Sequence, residues 1–139
     1  MNSEDVKEWM DIADNDFDSA LLLYESPRKH YEIICYHCAQ AVEKYIKGYL
    51  ISKNSVPQKT HDLRFLNNLC GELDKSFENI ITECAFLNKF ANDIRYPHKY
   101  ETSENDAAYA ISSVEKIRNS KPIHDLRKKT INDEENGIK

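Results

Sequence analysis

Glycine and proline are scarce in this 139-residue chain, three of the first and four of the second, and so few turn-forming positions exclude a strand-rich architecture. No apolar run approaches the length a membrane span needs, about eighteen residues or more. The opening Met1-Asn2-Ser3-Glu4-Asp5 lacks the basic and apolar regions of an export signal, so the expectation is a cytoplasmic protein with no membrane partner. Positive charge is not in excess either. Nineteen Lys and Arg against 24 Asp and Glu give −5, which excludes a protein that coats nucleic acid by bulk electrostatics but leaves room for local basic patches. The chain has no glycine-rich phosphate loop, no paired metal-binding carboxylate motif and no serine-nucleophile elbow, and that silence removes most common enzyme classes.

Cysteine is limited to positions 35, 38, 70 and 84, all within apolar helical patterns, and these read as reduced core thiols rather than bridges. Cys35-Tyr36-His37-Cys38 looks like a metal or redox motif. It has no second ligand pair at a suitable spacing and no preceding strand, so neither a metal nor a cofactor is expected.

What is present is helical periodicity in a chain long enough for one ordinary domain. Ser3 caps a first helix over about 4–25, carrying Val6, Trp9, Met10, Ala13, Phe17, Ala20, Leu21 and Tyr24 at threes and fours and stopped by Ser26-Pro27. A second runs from Tyr31 to Ser52 with an apolar side broad enough for the centre of a bundle. Thr60 is the expected cap of a third helix with Leu63, Leu66, Leu69, Cys70 and Leu73, and a fourth pattern covers about 74–95. Gly71 followed by Glu-Leu-Asp leaves open whether these are two helices or one kinked helix. Ser103 with Glu104 and Asp106 starts a fifth. The expected fold is therefore all-α, an up-and-down antiparallel bundle of four long helices and one or two short ones. Its bundle covers residues 1–120, with a short helix and polar tail over 121–139.

Three segments carry candidate chemistry. Gln40, Glu43, Lys44 and Lys47 lie on or beside one stripe of the second helix, either as a solvated edge with one Glu43–Lys47 pair or as a ligand-facing row. In Lys59-Thr60-His61-Asp62-Leu63 a helix start favours anions; His61 is either a capping-turn residue or a ligand contact. Asn92-Asp93-Ile94-Arg95-Tyr96-Pro97-His98-Lys99-Tyr100 gathers a planar phosphate fork, an imidazole and two phenols, a composition suited to a nucleotide or RNA backbone. The alternative is that Arg95 braces the bundle through Asp93 or Glu43.

Tyr36-His37-Cys38-Ala39-Gln40-Ala41-Val42-Glu43-Lys44-Tyr45-Ile46-Lys47, Lys59-Thr60-His61-Asp62-Leu63 and Ile94-Arg95-Tyr96-Pro97, in this order and spacing, resemble the HEPN family over about residues 5–118. The resemblance implies a helical bundle that commonly forms homodimers and is often encoded beside a minimal nucleotidyltransferase. Some members of the wider superfamily are metal-independent ribonucleases that act as toxins; others bind nucleotides, RNA or a partner protein. By this resemblance Gln40, Glu43, Lys44, Lys47, His61, Asp62, Arg95 and Tyr96 form the binding surface. The ribonuclease branches place a histidine four to six residues after the arginine. His98 follows Arg95 after only two, and Tyr100, Glu101 and Thr102 hold no imidazole, which favours binding over cutting; the ribonuclease alternative rests on Arg95 and His98, and a second alternative is a purely structural interaction domain. Arg118 and His124 satisfy the spacing, but beyond the motif's place and across Pro122.

Overall fold

Apolar side chains at steps of three and four set which face of each helix turns inward, and the computed structural model of the protein, described for residues 3–91 and 101–135, assembles those faces around one central helix. Helix α1 (Ser3–Glu25) buries Val6, Met10, Ala13, Phe17 and Ala20. Helix α2 (Tyr31–Ser52) is the centre of the bundle and touches all the other α-helices among the described residues. It ends where Asn54 takes a left-handed φ of 61°, a conformation asparagine tolerates better than most residues. Gly48 lets α1 and α2 approach closely: a Cβ there would lie 2.4 Å from Met10 Cε and 2.9 Å from Trp9 Cβ.

Helix α3 (Leu63–Leu73) is capped by Asp62 rather than by Thr60. Asp62 Oδ1 accepts from the Arg64 and Phe65 amides at 3.0 and 3.2 Å, while Thr60 Oγ1 accepts from the Asp62 amide at 3.1 Å and shapes the turn before it. The 74–95 pattern is not one long helix. Asp74 accepts from both the amide and the hydroxyl of Ser76, starting a 3-10 turn (Lys75–Ile80) that leads into the two-turn α4 (Ile81–Asn88), so α3 and α4 are separate.

Ser103 and Asp106 form a reciprocal capping box that opens α5 (Glu104–Asn119). Helix α6 (Lys121–Glu135) is longer than the short terminal helix expected. Pro122 falls in its first turn, where a missing amide hydrogen costs nothing, and Ile123 and Thr130 are buried against the bundle. The fourth long helix of the bundle is thus α6. All four cysteines are free and buried, and burial pushes the Cys35 and Cys84 thiols up to about 12 and raises Cys38 and Cys70 as well. Among the described residues, no helix is long and apolar enough to cross a membrane.

Candidate functional site

The stripe on α2 is divided between two clusters, and neither is a solvated edge. On the α1 side, Lys44 Nζ donates to Asp16 Oδ2 at 2.6 Å and to Gln40 Oε1 at 3.1 Å, and His37 Nδ1 lies 3.7 Å from Asp16 Oδ1. On the α3 side, Lys47 Nζ donates to Glu43 Oε2 at 3.0 Å, and His61 Nδ1 sits 2.9 and 3.1 Å from the two Glu43 oxygens.

The second cluster is buried at its base. The Glu43 and Lys47 side chains are 5% and 9% exposed, and Lys47 borders a small hollow lined by Trp9, Leu50, Ile51 and the Val56-Pro57-Gln58 segment. The i,i+4 spacing of Glu43 and Lys47 is legible in sequence; the loop beside Lys47 is not. A carboxylate in such a place needs compensation, and it receives it from the ammonium and the imidazole together. Glu43 only accepts, so the His61 Nδ1–H donates to it, on a side chain that is 54% exposed and leaves Nε2 outside this contact.

Asp62, next in the chain, has its Oδ1 occupied in positioning. Besides capping α3 it accepts from Asn88 Nδ2 at 3.2 Å, and Asn88 Oδ1 in turn accepts the Leu63 amide at 2.8 Å. The end of α4 is thereby tied to the turn that carries His61. Gln40, Glu43, Lys44, Lys47, His61 and Asp62 are therefore described by the structure, in two adjoining clusters with Asp62 beside the second. Arg95, Tyr96 and His98 lie outside the described residues.

A third polar network was invisible to sequence reasoning. Arg127 of α6 grips Asp14 of α1 with two hydrogen bonds, Nε to Oδ1 at 3.1 Å and Nη2 to Oδ2 at 3.2 Å. The Tyr45 hydroxyl donates to the same carboxylate, and Arg118 approaches it to 3.8 Å while its guanidinium lies 4.8 Å from the centre of the Phe17 ring. Burial and the Asp14 carboxylate raise the Tyr45 hydroxyl well above the usual phenol range. Arg118 is thus engaged by α1, whereas His124 is exposed with Nδ1 3.6 Å from Asp125.

Among the described residues, no group of three or more His, Cys, Asp or Glu side chains is placed to hold a metal ion. A cleft of ≈ 320 Å³ lies at the C-terminal end of α2, between Tyr49, Lys53, Asp74, Lys121 and Lys129, and none of the motif residues lines it.

A family model described as HEPN domain matches residues 6–124. No curated protein and no solved structure matches the chain.

Proposed function

The chain belongs to the HEPN family of nucleotide-binding and RNase-type helical domains, and from that premise we propose that it is a binding module for a nucleotide, an RNA segment or a nucleotidyltransferase partner, without robust catalysis. The observation that supports this is the Glu43–Lys47–His61 cluster, whose buried ion pair holds one imidazole at a helix start with its second nitrogen available. Arg95 and Tyr96 complete the surface in this reading, and the two-residue gap to His98 sets the chain apart from the ribonuclease branches. Nucleotides and short RNA strands, titrated in a thermal-shift experiment, are expected to raise the melting temperature by a few degrees at saturation. No rise with any of them would remove the nucleotide and RNA readings and leave the partner reading. The same samples, incubated without metal and analysed on a gel, address the ribonuclease alternative: cleavage lost in Arg95→Ala and in His98→Ala would establish it.

The module acts as a homodimer in this proposal. Light scattering is expected to return twice the 16.2 kDa chain mass, and the monomer mass at micromolar concentration would refute that part.

A further inference from the structure

The cleft at the C-terminal end of α2 is built by three stretches far apart in the chain. Tyr49 and Lys53 come from the end of α2, Asp74 from the turn after α3, and Lys121, Asp125 and Lys129 from α6, whose steps of four residues bring them to one face. Its two carboxylates are already engaged. Asp74 Oδ1 accepts from the Ser76 hydroxyl at 2.7 Å and from its amide at 2.9 Å, and these bonds, with Lys53 and Lys121 nearby, hold the carboxyl below the usual carboxylate range. Asp125 Oδ2 accepts from Lys121 Nζ at 2.9 Å.

Two ammoniums are left over. Lys53 Nζ lies 5.6 Å from the centre of the Tyr49 ring and has no carboxylate in ion-pair contact, and Lys129 has neither a hydrogen-bond nor an ion-pair partner among the described residues. A second hollow along α6, between Asp125, Lys128, Lys129 and Asn132, shares Asp125 and Lys129 with the cleft, so the excess of positive charge continues beside it. The remaining wall is less polar. Pro122 and Leu126 line it with Tyr49, whose hydroxyl is raised above the usual phenol range by burial and then by Asp74, and so stays a neutral donor.

A cleft of ≈ 320 Å³ is at the small end of ligand pockets, too small for a folded partner and large enough for a compact organic molecule. Lysine binds phosphate as a point charge, and a phosphate monoester carries close to two negative charges near pH 7, which matches two uncompensated ammoniums. We propose that this cleft is an anion site, separate from the Glu43–His61 surface, that takes a phosphate monoester on a small apolar body, with the phosphate between Lys53 and Lys129 and the body against Pro122 and Leu126. It involves none of the residues of the nucleotide and RNA reading above and stands or falls apart from it.

The test is an amide NMR titration of the full chain with three probes: phenyl phosphate, phenyl sulfate, which keeps the ring but carries one charge fewer, and inorganic phosphate, which has no apolar body. Phenyl phosphate is expected to move the amides of Lys53, Asp125 and Lys129 and to bind about tenfold more tightly than phenyl sulfate, the worth of one charge-assisted contact, with inorganic phosphate weaker than phenyl phosphate. Lys53→Gln and Lys129→Gln, both at exposed positions, should each weaken phenyl phosphate by about the same factor, whereas Lys7→Gln, which removes an exposed charge on α1, should leave it unchanged. An equal loss in Lys7→Gln would reduce the effect to net charge and overturn the proposal. Equal affinity for the two phenyl probes overturns it as well, as do shifts centred on Glu43 and His61, which would move the ligand to the motif surface. A short RNA strand that displaces phenyl phosphate and weakens equally in Lys129→Gln would make the cleft part of a nucleic-acid surface instead. No shift with phenyl phosphate in excess means that there is no such site.

Discussion

Glu43→Ala is expected to lower the stability of the fold by about 3 kcal/mol and its melting temperature by roughly 10 °C. The reason is the charge left behind, more than the attraction lost. Lys47 is 9% exposed beside Trp9 and the 56–58 segment, so without Glu43 its ammonium is buried without a counter-charge or must move to reach water. A Glu43→Leu, Lys47→Met double variant separates these causes. Removing both charges is expected to recover most of the stability, because well-packed apolar side chains replace a buried ion pair at little cost. Thermal melts of the single and double variants make the comparison; a single-variant loss under about 1 kcal/mol would mean that the cluster is far wetter than its burial indicates.

Gly48→Val is expected to cost about 3 kcal/mol, at the upper end of the usual penalty for overpacking. The first added carbon would lie 2.4 Å from Met10 Cε, a flexible tip that has room to turn, but also 2.9 Å from Trp9 Cβ, which moves only with the backbone of α1. Valine adds two more carbons and a stiff χ1 to that conflict. Gly48→Ala should be milder, since alanine's helix preference offsets about 1 kcal/mol of the strain. Trp9 is the sole tryptophan in the chain, so its fluorescence reports the displacement directly. An unshifted emission maximum in Gly48→Val would show that α1 had not moved.

The extents of α1, α2 and α5 were legible because each combines a strong apolar period with a local stop or start: Pro27 after the first, the 53–57 loop after the second, and the Ser103–Asp106 box before the fifth. Local chemistry misled where two candidates competed. Thr60 and Asp62 are both good caps, and Asp62 takes the position because it directly precedes Leu63 and its carboxylate reaches two amides. The apolar period from Phe77 to Phe90 runs on through a change of helix type that only the Asp74–Ser76 hydrogen bonds reveal.

Helix α6 was underestimated because part of its inner face is not apolar: Arg127 and Thr130 join Ile123 and Leu126 there, so the usual periodic signal is thin. The same limit applied to the site. Glu43 and Lys47 are one helical turn apart and readable as a pair. His61 reaches Glu43 across 18 positions, by a loop whose path no periodicity encodes.

Asp14 and Arg127 are 113 positions apart, so their contact joins α1 to α6 across nearly all of the described residues. On a ribosome that interval corresponds to on the order of ten seconds of elongation at 5–20 residues per second. Throughout that delay the carboxylate and Tyr45 have no Arg127 to meet. The nascent bundle therefore waits with one seam open, and that seam closes only once α6 has been made.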